Sequence, residues 1–171
     1  NIQEAFLSLF FPRLCLACNQ KAPAIKELIC TECLIRLPRT FFHMEKENEF
    51  TQRFWGRTKL ETGAAMYLFS KGSKTQNLIH NLKYNGKAQV GVLLGQMYGR
   101  KLTKSALYQS IDLIVPVPLH WKKLQIRGYN QSEQFAKGLS ETMNIPYLKD
   151  GMIRTIHADS QTTKSREERM A

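Results

Sequence analysis

Four cysteines constrain this chain more than any other feature. They are the only cysteines it has, and they fall within nineteen residues, as Cys15-Leu-Ala-Cys18 and, after eleven intervening residues, Cys30-Thr-Glu-Cys33. A Cys-x-x-Cys pair turns tightly enough to aim both sulfurs at one point. Two such turns complete a closed tetrahedral shell, the arrangement of a structural zinc ion. Pro12 and Pro23 flank the first pair and leave the segment around it irregular. Two disulfides are a rival arrangement, suited to an oxidising compartment, and a thioredoxin-like redox pair is a third, needing a single Cys-x-x-Cys beside a βαβ pattern. A shell closed by four thiolates leaves no position for substrate or activated water. The expected role of Zn2+ is therefore to stabilise a module too small for a core of its own.

The rest of the 171 residues suffices for one further hydrophobic core. No stretch approaches the roughly 18 uninterrupted apolar residues of a membrane span. The run Ala5 to Phe11 is apolar, but Glu4 precedes it and it lacks a basic lead-in and a small-residue cleavage site. The expectation is a short amphipathic helix in a cytoplasmic protein rather than a secretory signal. Charge says more. Twenty-five Lys and Arg face fourteen Asp and Glu, a net charge of +11, spread over both halves of the chain. A folded surface this positive attracts polyanions, either phosphate-bearing small molecules or nucleic acid.

Periodicity organises the chain into a cysteine module over residues 1–45, a charged connector over 46–59 and a third region over 60–171. Residues 60–70 read as a strand. Leu78, Ile79 and Leu82 mark a helix ending near Asn85-Gly86, and Val90, Leu93, Leu94, Met97 and Tyr98 mark a second. Ile111 to Val117 is short, β-branched and apolar on both sides, as a central parallel strand is. A cationic loop follows, then a helix opening at Asn130 and ending before Pro146, and residues 152–157 read as a further strand. Strands alternating with helices predict an α/β domain built on a parallel sheet.

The ordered motifs carry a resemblance. After the cysteine knuckle come Leu82-Lys83-Tyr84-Asn85-Gly86, then Val115-Pro116-Val117-Pro118-Leu119-His120, then Arg127-Gly128-Tyr129-Asn130-Gln131, and finally Gln161 with Arg166 and Arg169. In that order the chain resembles the competence protein F family, phosphoribosyltransferase-like proteins tied to DNA uptake in naturally transformable bacteria. The resemblance implies a type I phosphoribosyltransferase-like fold, a parallel sheet with a small N-terminal zinc-finger module. It also implies phosphoribosyl pyrophosphate with Mg2+ as ligand and a helicase-like ATPase of the uptake machinery as partner. Transfer chemistry of that kind rests on positioning and charge stabilisation rather than on a side-chain nucleophile, and no catalytic residue stands out. Arg127 is the first candidate for a phosphate contact. Pro118 and His120 lie in the loop that the resemblance places against pyrophosphate, Lys83 and Tyr84 are expected to line the same cleft, and Gln161, Arg166 and Arg169 are expected on a flexible loop closing over it. The family's Thr/Gly-rich phosphate loop has no counterpart here, so half a ligand site is expected: either the remainder lies beyond residue 171 or the chain does not bind this ligand in the usual way.

Plainer readings stand beside these. Lys83 at a helix end is favoured by the helix dipole whatever its function, and Arg127 can be a solvated cation. His43, His80, His120 and His157 have no spacing that suggests a second metal site. Trp55 and Trp121 lie near Arg53, Arg57, Lys122 and Lys123, an interleaving that can stack on unpaired bases or simply mark the edge of a core. The alternative function is accordingly a non-enzymatic adaptor that holds single-stranded DNA on the cysteine module and basic surface.

Overall fold

A computed structural model describes residues 13–20, 23 and 27–156. The helix expected over residues 5–11, the site residues Gln161, Arg166 and Arg169, and His157 lie outside the described residues. Helix α1, Thr31–Arg36, starts at Cys30, and the chain reverses through a 3-10 turn at Phe42–Met44. The short helix α2, Glu49–Gln52, is fixed by a capping box. The Asn48 carboxamide accepts from the Phe50 and Thr51 amides, and the Thr51 hydroxyl accepts from the Asn48 amide. The same carboxamide donates to the Phe42, Glu45 and Gly63 carbonyls, at 3.1, 3.0 and 2.8 Å. One buried asparagine thus organises the segment that composition marks only as a charged connector.

Helix α3, Lys74–Tyr84, begins where Ser73 accepts from the Gln76 amide and Gln76 in turn accepts from the Gly72 amide. It carries Leu78 and Leu82 into the core and ends at Asn85 and Gly86, the latter at φ +65°. Helix α4, Ala88–Leu102, follows at once. Beyond a 3-10 turn at Ala106–Tyr108 come α5, Trp121–Arg127, and α6, Gln131–Met143, the latter capped by Asn130. None of these helices is long and apolar enough to cross a membrane. The buried core joins Cys15, Ala17, Ile29, Cys30, Cys33 and Leu37 to Leu78, Leu82, Val90 and Leu94, so the cysteine module and helices α3 and α4 share one apolar interior.

The expected parallel sheet is not there. Among the described residues the structure is helical, with no strand and no sheet, only two isolated bridges. Arg39 pairs antiparallel with Tyr67, and Ile114 pairs parallel with Tyr147. The expected strand over 60–70 spends its hydrogen bonds on the exit from the cysteine module, Leu68 N–H to Pro38 O at 2.8 Å and Thr40 N–H to Met66 O at 3.4 Å. The expected central strand, Ile111 to Val117, forms its backbone-to-backbone hydrogen bonds with residues 146–148, through Ile114 N–H to Pro146 O and Leu148 N–H to Ile114 O. No backbone hydrogen bond joins the two segments. Pro116 and Pro118 also lack the N–H groups that a ladder needs on that stretch, and Leu113, Val115 and Val117 stay exposed instead of being covered on both faces. The segment expected as a strand over 152–157 is irregular as far as it is described.

Helices α4 and α6 make the most extensive contact between elements, and glycine explains how. Gly91, Gly95 and Gly99 recur every fourth residue of α4 and so line one face. A Cβ at Gly95 would stand 2.2 Å from Phe135 O, and one at Gly138 of α6 2.1 Å from Val92 O. The two backbones touch. Glycine to alanine inside an exposed helix normally gains about 0.5–1 kcal/mol; here the methyl has nowhere to go. Gly95→Ala is therefore expected to lower stability by about 1–3 kcal/mol in urea unfolding. A gain in stability would show that the helices do not approach this closely.

Candidate metal centre and cation pair

The first knuckle is a turn closed by Asn19 N–H to Cys15 O at 2.8 Å, with Asn19 in the left-handed region at φ +56°. Leu16 N–H donates to Leu28 O at 2.9 Å and ties this turn to the approach to the second pair. Cys30 stands at the start of α1 and Cys33 in its first turn, so the helix sets the spacing of the second pair. The Cys15 sulfur accepts from the amides of Ala17 and Cys30 at 3.4 and 3.3 Å. Amides aimed at a sulfur suit a thiolate ligand better than a neutral thiol.

All four cysteines are free thiols, and the four Sγ atoms lie within 4.8 Å of one another. Sulfurs about 2.3 Å from a tetrahedral ion stand roughly 3.8 Å apart, so the cluster is positioned to hold one metal ion and is compatible with structural zinc. Cys15, Cys30 and Cys33 are buried and Cys18 is half-buried. Burial, and then hydrogen bonding to Cys30, Cys18 and Cys15, push the Cys33 thiol up to about 12. Without an ion this group keeps its proton, and an incoming ion must expel it.

Two asparagines seat the knuckle on the body. Asn77 and Asn81, four apart on α3, donate from their carboxamides to Ala17 O at 2.8 Å and Leu16 O at 2.9 Å. Asn85 donates to the Asn81 carboxamide oxygen at 2.9 Å. The signal for this was an Asn-x-x-x-Asn-x-x-x-Asn spacing on an otherwise apolar-patterned helix, and attention to the leucines passes over it.

The same helix ends in Lys83 and Tyr84, and here the structure brings together residues that the sequence keeps more than forty positions apart. The Tyr129 hydroxyl donates to Leu82 O at 2.6 Å and ties the Arg-Gly-Tyr-Asn segment to the end of α3. Gly128, at φ +77°, ends α5 with its amide on Leu124 O, and Asn130 both caps α6 and donates to Val117 O at 3.0 Å. Arg127 is thereby placed with its guanidinium carbon 5.4 Å from the centroid of the Tyr84 ring, whose other neighbour is the His80 ring at 5.0 Å. Lys83 is half-buried. Desolvation, and then the Arg127 charge, hold its amine below the ordinary lysine range. Among the described residues neither cation makes an ion pair.

His120 has a structural duty at the start of α5. It is 5% exposed, and its Nδ1 accepts from the Lys122 amide at 3.3 Å, capping α5. Pro118 is half-buried in the loop that leads to it. Trp121 is exposed, with the Lys122 ammonium 5.6 Å from its ring centroid. Tyr129 was not among the residues expected at the site, yet it is the tether that assembles it.

Comparison with known proteins gives no further guidance: no family model matches the chain, and neither the curated proteins nor the solved structures contain a match.

Chelation of the bound ion is expected to lower the unfolding temperature by more than about 10 °C, because binding energy at such a site is folding energy. Cys33→Ser should reproduce most of that loss and reduce the metal content found by elemental analysis. A protein whose melting is indifferent to both treatments would not be held together by this cluster.

Proposed function

We propose that this chain is a structural-zinc protein that binds a phosphate-bearing ligand between Lys83 and Arg127. The ligand is phosphoribosyl pyrophosphate with Mg2+, in service of DNA uptake alongside a helicase-like ATPase. One observation carries the binding reading. Two like charges are held near each other at the junction of α3 and the Arg127 segment, both half-buried, with no carboxylate paired to either among the described residues. Keeping cations together in this way costs free energy, and an anion between them offsets it. A guanidinium offers phosphate two parallel hydrogen bonds and an ammonium adds a point charge, a complementary pair for a sugar phosphate. The identity of the ligand and the link to DNA uptake rest on the ordered motifs shared with the competence protein F family.

A specific observation favours single-stranded DNA as a second reading. The exposed rings of Tyr84 and Trp121 each lie close to a cation, Arg127 and Lys122 respectively, and cation-flanked aromatic faces are what unpaired bases stack on.

Calorimetric titration separates the two. Under the first reading Arg127→Ala should weaken binding of magnesium phosphoribosyl pyrophosphate by about 10-fold to 100-fold, the value of a charge-assisted bidentate contact. Lys83→Met should weaken it too while leaving the melting temperature of the free protein unchanged or higher, since it relieves repulsion. Under the second reading that ligand does not bind. Oligonucleotide affinity then falls linearly with salt on logarithmic axes, and Arg127→Ala removes only about one charge from the slope. Loss of neither activity in either variant would remove the cation pair from both readings.

A further inference from the structure

Three buried polar atoms without a hydrogen-bond partner belong to residues that line a single cavity, one that includes neither the thiol cluster nor the Lys83–Arg127 pair. They are His43 Nδ1, Tyr67 OH and Tyr98 OH. They come from three parts of the chain: the 3-10 turn at Phe42–Met44, the segment bridged to Arg39, and helix α4. His43 and Tyr98 are 9% and 6% exposed, and their rings meet edge to face at 5.7 Å. Arg39 and Lys101 also line the cavity, Phe41 and Met66 form its apolar walls, and no carboxylate takes part.

Each such group left unpaired costs roughly 1–3 kcal/mol, and of the six among the described residues three gather at this cavity. Three at one place call for a common partner. Burial holds both phenols above their ordinary range, at Tyr67 against the opposing pull of the nearby Arg39 guanidinium, so they remain O–H donors. Burial, and then the Lys101 charge, hold His43 below its ordinary range, so its ring is neutral near pH 7. With two hydroxyl donors, an imidazole able to donate from Nδ1 and two cations in the lining, the missing partner is an acceptor. The space is about 10 Å3, room for one atom of water or halide size. Water brings two protons that need acceptors, and a phenol oxygen or the imidazole can supply them, so a water fits the cavity as well. A negatively charged atom needs none and gains from both cations in the low-dielectric setting of the apolar walls.

We propose that this cavity is an anion site, in which the Tyr67 and Tyr98 hydroxyls and His43 Nδ1 donate to a single anionic atom in the field of Arg39 and Lys101. That atom is a halide or one oxygen of a carboxylate. Arg39 is already steadied for the task by a hydrogen bond from its guanidinium to Leu34 O at 3.0 Å. Ser105 Oγ steadies the turn that carries His43 by donating to His43 O at 2.8 Å.

The test follows the His43 ring resonances of the metal-loaded protein during titration with sodium bromide and, separately, sodium formate at constant ionic strength. A saturable shift is expected with at least one of them, weakened at least tenfold in both Tyr98→Phe and Lys101→Met. Saturation by bromide alone assigns a free ion, saturation by formate alone assigns a carboxylate carried by a partner molecule, and saturation by both assigns the shared anionic atom. Tyr98→Phe removes only a hydroxyl without a partner, so its melting temperature in anion-poor buffer should not fall, and the stabilisation conferred by the anion should be absent. If that variant does not fold, Lys101→Met at the cavity lining decides alone. Linear drift without saturation for both salts, or saturable binding unaffected by the variants, overturns the proposal and leaves the cavity to water.

Discussion

The carboxamides of Asn77 and Asn81 hold the first cysteine turn against α3, and much of the molecule depends on that contact. A turn bearing two metal ligands exposes main-chain carbonyls that must find donors once they are covered. Here those donors come from one helix face, four residues apart, so the turn is oriented as well as satisfied. Because Leu78 and Leu82 on the same helix pack beside Ile29 and the buried cysteines, the cysteine turn and the helix share one core. The end of that helix then fixes Lys83 and Tyr84, and the Leu82 carbonyl receives Tyr129. A metal-free thiol cluster would loosen the seat of α3, and with it the geometry of the cation pair that Lys83, at the end of that helix, forms with Arg127.

What could be read from residues alone divides along physical lines. The clustered sulfurs were legible because two Cys-x-x-Cys turns have few other uses. Helices α3 and α6 were legible from apolar spacing and, at Asn130, from a capping residue. The sheet was not. A short apolar β-branched run reports that a segment is extended, but which edge it pairs with is a long-range matter, and Ile111 to Val117 finds one neighbour where two faces and two edges were expected. Asn48 shows the opposite failure. Residues 43–59 look structureless by composition because their order comes from one side chain satisfying three carbonyls and two amides, a pattern with no periodicity.

The Arg127-to-Asn130 segment shows why a motif is a poor guide to which of its residues meet a ligand. Gly128 is there because the end of α5 needs positive φ, Tyr129 because the loop must be tied to α3, and Asn130 because α6 needs a cap. Three of four positions are accounted for by folding alone. Only Arg127 has no such duty, and its placement over Tyr84 is the product of the other three. His120 is a similar case, in that a histidine beside a cationic loop suggests a ligand contact, and the structure uses its ring nitrogen to start a helix.

The charge of the chain takes on a more definite meaning in this light. Three ion pairs are present among the described residues, Arg36 with Glu32, Lys46 with Glu61 and Lys149 with Glu133. Each involves a well-exposed cation, and exposed pairs contribute at most about 1 kcal/mol. Over the whole chain cations outnumber anions by eleven, and repulsion of this kind opposes compaction. Yet the fold does not spread its cations evenly. It holds Lys83 beside Arg127 through a tyrosine tether, and gathers Arg39 and Lys101 around one small cavity whose hydroxyls face no acceptor. Packing and main-chain hydrogen bonds supply the free energy that keeps each pair together. An anion entering between them would release that strain on binding, so the cost carried by the free protein would become part of the affinity.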